Sequence, residues 1–484
     1  MLPVGAAGRL GATSERREMS TAGNRAQKIG EHAVVIGASM GGLLGARALS
    51  DAYERVTIIE RDELPAVGEG HKSVPQGRHA HVMLASGQRA IEELLPGITD
   101  ELLAAGAQSG KSLREIRLVI AGHPITREAH GADVMLASRP LIEGHVRRRV
   151  LALANVTARE RCDAVDLVTS ADGRRVTAVR VRDRRFGRGD ATLDADLVVA
   201  ATGRAARIPA LLEALGYRRP QEDRLRIDLL YASRRVRLRP GALGDDKLIG
   251  IGARPGFSRG LWLIAQENHW IMTAFGYGGE HHPPADESGY LAFIATVAPA
   301  DVLAAIRESE PLTEIVTHSF PGNQRRRYER LRRIPDGLLV LGDAISSFNP
   351  LYGQGMSVAA LEAIALKRCL EKREQPIARY FFRAAGKIVT PAWEMAVGGD
   401  LALPEVPGHR PAMLRITNAY IERLLRVAER DPIVAQAFGD VSDLLTPPRE
   451  VLRPQILWRV LRGNLQQHET ATEPHTAIGT YAAQ

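Results

Sequence analysis

Two glycine-rich turns, one near each end of the central part of the chain, are where residue types and spacing could do chemistry. In the first, Ala33-Val34-Val35-Ile36 leads into Gly37-Ala38-Ser39-Met40-Gly41-Gly42. The apolar run predicts a strand and Gly37 a sharp turn. The residues that follow predict the start of a helix, whose free N–H groups and positive dipole end can face a pyrophosphate. The dinucleotide pattern Gly-x-Gly-x-x-Gly reads Gly37-x-Ser39-x-x-Gly42, with Ser39 small enough to allow the close approach that a second glycine gives. The next apolar run, Arg55-Val56-Thr57-Ile58-Ile59, ends on Glu60 and Arg61. A carboxylate at that point can accept hydrogen bonds from an adenosine ribose.

The second turn is the more specific. Gly337-Leu338-Leu339-Val340-Leu341-Gly342-Asp343 predicts a strand that ends on an acid, whose carboxylate can hold the ribityl hydroxyls of a flavin. Downstream, Phe348-Asn349-Pro350-Leu351-Tyr352-Gly353-Gln354-Gly355-Met356 stops the strand at Pro350. Gly353 and Gly355 then let backbone N–H groups approach a flat ring before a helix over Met356–Leu370. That helix N-terminus would stabilise negative charge on the pyrimidine edge of a reduced isoalloxazine. The two turns in this order predict a chain that wraps FAD.

The elements between them must hold both turns in one place. Residues 31–60 read as a β–α–β unit, and Ser138-Arg139-Pro140-Leu141 opens an amphipathic helix carrying Arg147, Arg148 and Arg149. Ala164 to Asp183 alternates around Asp172-Gly173, a hairpin signal. Ala195 to Ala201 reads as a further strand and delivers Thr202-Gly203-Arg204. From 225 to 320 the pattern is sheet-like, at Tyr231 to Leu238, Trp262 to Phe275 and Thr313 to Phe320, with one helix from Gly289 to Arg307. Residues 411–463 have helical apolar spacing. The predicted organisation is an N-terminal extension (1–30), the first part of an FAD-binding domain (31–220), a sheet-rich substrate domain (221–325) and the second part of the FAD-binding domain (326–400). A helical region (401–463) and a disordered polar tail (464–484) complete it. Met19 offers a second start, which would leave 1–18 as an extension.

At 484 residues, 45% hydrophobic and 25% charged, the chain is long enough for two or three lobes with sizeable cores. Its formal charge of +8 comes with no nucleic-acid recognition motif, so a solvated basic surface is expected and no nucleic-acid partner. No apolar run is long enough to span a bilayer, and residues 1–30 lack a signal-peptide core, which predicts a cytoplasmic protein. Cys162 and Cys369 suggest neither a disulfide framework nor a metal site. His79 and His81 lack further ligands at metal spacing, so no metal is predicted and a structural or substrate-facing role is expected. Arg325-Arg326-Arg327-Tyr328-Glu329-Arg330 reads as a solvated, salt-bridged stretch. Nothing in the pattern sets an oligomeric state.

The chain resembles the class A FAD monooxygenase superfamily, and within it the polyketide epoxidases of the monensin and lasalocid type. The likeness covers most of residues 31–395. It is carried by Gly37-Ala38-Ser39-Met40, Val74-Pro75-Gln76-Gly77-Arg78-His79-Ala80-His81, Ser138-Arg139-Pro140-Leu141, Ala201-Thr202-Gly203-Arg204, and Gly342-Asp343 through Gly355-Met356. The resemblance implies an α/β fold: a three-layer, glutathione-reductase-type FAD-binding domain with an inserted antiparallel-sheet substrate domain and C-terminal helices. It implies that Glu60 binds adenosine ribose, that Arg139 and Arg147 lie near the flavin chain, and that Asp343 binds ribityl oxygen. It also implies NAD(P)H as transient reductant, a flavin C4a-hydroperoxide, and oxygen transfer to a hydrophobic, polyketide-type substrate. One departure leaves a second reaction open. Where the polyketide epoxidases typically carry an acid and a serine, Ala200-Ala201-Thr202-Gly203-Arg204-Ala205-Ala206 has alanines. The superfamily includes an FAD-binding dialkyldecalin synthase of pyrroindomycin-type pathways, a redox-silent [4+2] cyclase. A flavin that is only part of the pocket would need no reduction. The tryptophans Trp262, Trp270, Trp393 and Trp458 do not form the Trp-x-Trp-x-Ile-Pro stretch of flavin halogenases.

Overall fold

The computed structural model describes residues 28–71, 74–110, 112–185 and 190–471. The nucleotide unit is built on a five-stranded parallel sheet, in the order Leu338–Val340, Leu197–Ala200, Gly30–Ile36, Tyr53–Ile59, Val156–Arg159. Its central strand is buried along Ala33-Val34-Val35-Ile36, as a parallel strand covered on both faces must be. Helices Met40–Ser50 and Gln354–Glu371 pack against each other and join the sheet in one core through Leu43, Leu44, Leu341, Ala359 and Ala363. A three-stranded antiparallel sheet, Cys162–Thr169, Val176–Asp183 and Ala191–Asp194, supplies the third layer, with the hairpin turning at Asp172-Gly173. The nucleotide unit thus has the three-layer α/β architecture expected from the sequence.

The second unit is a nine-stranded sheet. Its long axis is Glu222–Arg237, hydrogen-bonded to Val316–Arg326 on one side and Trp270–Tyr277 on the other. Arg259–Ala265, Leu248–Ile251, Ile116–Ile120 and His123–Pro124 follow in order. Two features differ from the sequence expectation. The sheet takes Ile116–Ile120 and His123–Pro124 from a stretch expected in the nucleotide unit, and the Leu248–Ile251 to Ile116–Ile120 pair is parallel. A loop at 266–269 also splits the stretch from Trp262 to Phe275 into two paired strands.

Two helices, Glu287–Ala295 and Ala300–Arg307, replace the single one expected from Gly289 to Arg307. Pro299, with no N–H to continue the ladder, separates them. Helix Arg139–Leu151 begins where expected, with Ser138 Oγ accepting from Leu141 N and Pro140 in the first turn. It is not amphipathic, because Pro140 through Arg147 are all buried. The basic run near 325 is paired as expected but not solvated. Arg325 and Arg326 are only 1% and 5% exposed, and they meet Glu329 and Glu222.

Helices Ala412–Ala428, Pro432–Ser442 and Pro454–Ala471 close the far end of the sheet. Leu424, Leu425, Val434 and Val460 share a core with Ile125 and the strand Ile116–Ile120. The last helix continues through 464–471, the beginning of the expected tail; residues 472–484 and 1–27 lie outside the described residues. Among the described residues, no helix is long and apolar enough to cross a membrane.

Candidate active site

One continuous cavity of ≈ 2330 Å³ runs from both glycine-rich turns, past the face of the nine-stranded sheet, to the C-terminal helices. At the first turn the chain leaves its strand at Gly37, with φ +103°, a conformation only glycine adopts cheaply. A Cβ on Gly42 would stand 1.8 Å from the Gly37 carbonyl oxygen, so strand end and helix touch backbone to backbone. Ser39 holds the N-cap position but does not cap the helix. Its hydroxyl donates to Glu143 Oε2 (3.0 Å) and accepts from Arg139 Nη2 (2.9 Å), while Arg139 Nε reaches Glu143 Oε2 at 3.2 Å. The serine that replaces the second glycine is therefore turned onto a buried ion pair. The first helical N–H groups carry no side-chain cap, and an anion can take that place.

Glu60, buried at the end of Tyr53–Ile59, accepts from Ala38 N (2.8 Å) through Oε2 and from Asp62 N (3.0 Å) through Oε1. It thus joins the second strand to the first turn and keeps further lone pairs for a hydroxyl donor. Arg61 stands exposed on the cavity rim.

At the second turn Gly342 N donates to Glu362 Oε2 at 2.6 Å. Glu362 is fully buried, and burial pushes its carboxyl up to about 8. Asp343 stands on the cavity wall, where burial raises its pKa against the opposing pull of Arg139 and Arg204. Gly353 has φ +66° and precedes helix Gln354–Glu371 without a side-chain cap. Thr202-Gly203-Arg204 borders the same space, with the Arg204 guanidinium 5.1 Å over the Phe320 ring.

Of the residues expected at the cofactor, Gly37, Ser39, Met40, Glu60, Arg61, Arg139, Gly203, Asp343, Pro350, Gly353, Gly355 and Met356 line this cavity. Gly42 and Arg147 do not. Gly42 sits behind the turn, where it permits the close packing. Arg147 is buried on the far side of its helix and donates to Pro65 O at 2.6 Å, tying down the loop after the second strand. The site fits a dinucleotide in three respects: backbone cradles that a Cβ would fill, two uncapped helix starts, and carboxylates at Glu60 and Asp343.

Two further clusters escape the motifs. Asp400, 0% exposed, accepts from Asn323 Nδ2 (2.6 Å), Asn349 Nδ2 (2.7 Å), Tyr277 Oη (3.2 Å) and Tyr352 Oη (3.2 Å). Burial raises its pKa to about 6. This network pins the loop Asn349–Tyr352 to the nine-stranded sheet, and its members come from scattered elements, so no spacing announces it. The other cluster is His79, Tyr231 and His318, whose rings meet on the cavity wall at centroid separations of 4.5–5.8 Å. His79 lies in a segment that the sequence marks, but its partners do not. Among the described residues, no group of His, Cys, Asp and Glu has the arrangement of a metal site.

The chain matches the FAD-binding-domain family over residues 31–375. It is 36% identical over 456 residues to Protein Rv3254 of Mycobacterium tuberculosis (strain ATCC 25618 / H37Rv), covering 90% of this chain and 94% of that protein. Among solved structures it is similar in fold to p-nitrophenol 4-monooxygenase PnpA from Pseudomonas putida DLL-E4, with a TM-score of 0.60 and 15% identity over 87% of this chain and 100% of that one. It is similar also to the Diels-Alderase PyrE3 of the pyrroindomycin pathway, with a TM-score of 0.58 and 14% identity, over 85% of this chain and 80% of that one.

Proposed function

We propose, from the premise that the chain belongs to the FAD-binding-domain family, that it is an FAD-dependent monooxygenase acting on a bulky, largely apolar small molecule of polyketide type. The observation that carries this reading is the single cavity that joins the two glycine-rich turns to an apolar space under the C-terminal helices. Its ≈ 2330 Å³ exceed the roughly 300–1,000 Å³ of an ordinary ligand pocket, leaving room for a cofactor and a substrate together. Bound there, FAD would supply dioxygen activation and the transfer of one oxygen atom to an alkene or electron-rich carbon, with NAD(P)H as reductant.

The chain's own contribution is binding, orientation and exclusion of water. The helix start at Met40 takes the pyrophosphate, Glu60 the adenosine ribose and Asp343 the ribityl hydroxyls. Arg139, locked by Glu143 and Ser39, sets positive charge beside them. The N–H groups after Gly353 offer hydrogen bonds to the ring edge where negative charge accumulates on reduction. Leu118, Ile120, Trp262, Leu414 and Leu425 wall the outer half of the cavity and keep it poor in water.

The second reading is a redox-silent [4+2] cyclisation, in which FAD is a wall of the pocket and catalysis comes from folding a polyene into its reactive geometry. It is supported by Ala200 and Ala206, which stand where the polyketide epoxidases typically carry an acid and a serine. Anaerobic mixing of the FAD-loaded protein with NADH or NADPH separates the two. Bleaching of the flavin band, accelerated by an apolar polyene, supports oxygenation. A flavin that stays oxidised with both nucleotides, with and without polyene, overturns it, and a product isomeric with the polyene then identifies the cyclase.

A further inference from the structure

His79 ends a short hydrogen-bonded chain that dictates where its proton sits. Ala80 N donates to Thr273 Oγ1 at 3.2 Å, Thr273 Oγ1 and Ser233 Oγ are 2.6 Å apart, and Ser233 Oγ lies 2.8 Å from His79 Nδ1. Thr273 and Ser233 are 2% and 0% exposed. Among the described residues, the only acceptor for the Thr273 hydroxyl proton is Ser233 Oγ, and the only acceptor then left for the Ser233 proton is His79 Nδ1. The reverse order would strand the Thr273 proton in a buried site, which is costly. Nδ1 must therefore present its lone pair to Ser233.

The ring is also neutral: burial, with the charges of His318, His81 and Arg78, lowers its pKa to about 3. A neutral imidazole whose Nδ1 is bare carries its proton on Nε2. Among the described residues, neither His79 Nε2 nor the Tyr231 hydroxyl has a hydrogen-bond partner, and both residues line the cavity with His318. These are neutral dipoles in a largely apolar wall.

We propose that His79, fixed as its Nε2–H tautomer by Ser233 and Thr273, is the polar anchor of the substrate half of the cavity, donating to an uncharged oxygen, a carbonyl above all, of an otherwise apolar molecule. The inference deepens the proposed function and rests on the reading of this cavity as the substrate site. It makes His79 a binding residue whose partners are positioning residues.

The test uses FAD-loaded, oxidised protein labelled with ¹⁵N-histidine, with the His79 resonances assigned by their absence in His79→Phe. At pH 7 an unprotonated Nδ1 and a protonated Nε2 are expected; a protonated Nδ1 overturns the proposal. Titration with 2-undecanone and with undecane then reads recognition. The ketone should shift the Nε2 resonance and bind about tenfold more tightly than the alkane, the worth of one hydrogen bond. His79→Phe, which keeps the ring and removes the nitrogens, should erase that preference. Equal responses to ketone and alkane, or a preference that survives in His79→Phe, overturn it. No step depends on turnover, so a flavin that NAD(P)H fails to reduce defeats oxygenation and leaves these readouts standing.

Discussion

Replacing Gly42 by alanine should sharply weaken FAD binding without substituting any side chain that lines the cavity. The added Cβ would lie 1.8 Å from the Gly37 carbonyl oxygen, whereas ordinary contact begins near 3.4 Å. The helix start must then recede by about 1.6 Å, the difference between those two distances. It cannot do so freely, because Leu43, Leu44 and Leu49 are fully buried on the same helix. Overpacking of this kind costs about 1–3 kcal/mol of stability. The effect on the cofactor is larger. Moving N–H donors by more than 1 Å takes a hydrogen bond of about 2.9 Å out of range. Two bonds to a charged pyrophosphate are worth about 1.5–3 kcal/mol each, so the affinity for FAD should fall by a factor of about 10²–10⁴. The FAD-to-protein ratio after gel filtration, and a dissociation constant from flavin fluorescence quenching, measure it. A Gly42→Ala protein with unchanged affinity and unchanged melting temperature would show that the turn is not the pyrophosphate cradle.

Other substitutions test the buried groups. Asp400→Ala strands four donors and should cost about 4 kcal/mol, the low end of roughly 1–3 kcal/mol per orphaned group, in urea unfolding; a loss below about 1 kcal/mol would contradict the network. His79 titrates near 3 in the folded protein against an ordinary 6.5, so the folded state binds its proton later and the contribution is lost as pH falls from 6.5 towards 3. The stability of wild type relative to His79→Phe should accordingly drop by about 2 kcal/mol between pH 7.5 and pH 5. Glu362 has the opposite sign, with a folded value of about 8 against 4.5, so its contribution is full below pH 4.5 and lost as pH rises through 8. Relative to Glu362→Gln, wild type should lose about 3 kcal/mol between pH 5 and pH 7.5, and parallel pH profiles would refute the burial argument.

What was legible in the sequence was whatever the backbone constrains locally. Gly37 and Gly353 need left-handed φ, and Gly42 a bare Cα, and each constraint lies within a few residues of the strand or helix that imposes it. Glu60 could be placed because it ends a strand whose apolar pattern fixes its register beside Gly30–Ile36. The acids and arginines that depend on distant partners could not. Arg147 lies on the helix whose start was recognised, but which face it takes depends on the loop at Pro65, and that loop carries no signal. The run at Arg325 looked like a solvated surface because charge runs usually are. Arg326 is instead buried between Glu222 and the carbonyls of Ala344 and Arg204, each far from it in the chain. Ile116–Ile120 carries one polar residue, Arg117, among apolar ones, and only its parallel pairing with Leu248–Ile251 assigns it to the nine-stranded sheet.

The order of strands in the parallel sheet has a consequence for how the protein is made. Leu338–Val340 pairs with Leu197–Ala200, and the whole of Glu222–Arg326 is synthesised between them. On the ribosome the parallel sheet therefore waits, one strand short, while the strands between Glu222 and Arg326 emerge. The first glycine-rich turn is made early and the second far downstream, so a nascent chain halted before residue 340 carries only one of the two. A truncation that keeps the first glycine-rich turn but not the second leaves the parallel sheet without Leu338–Val340.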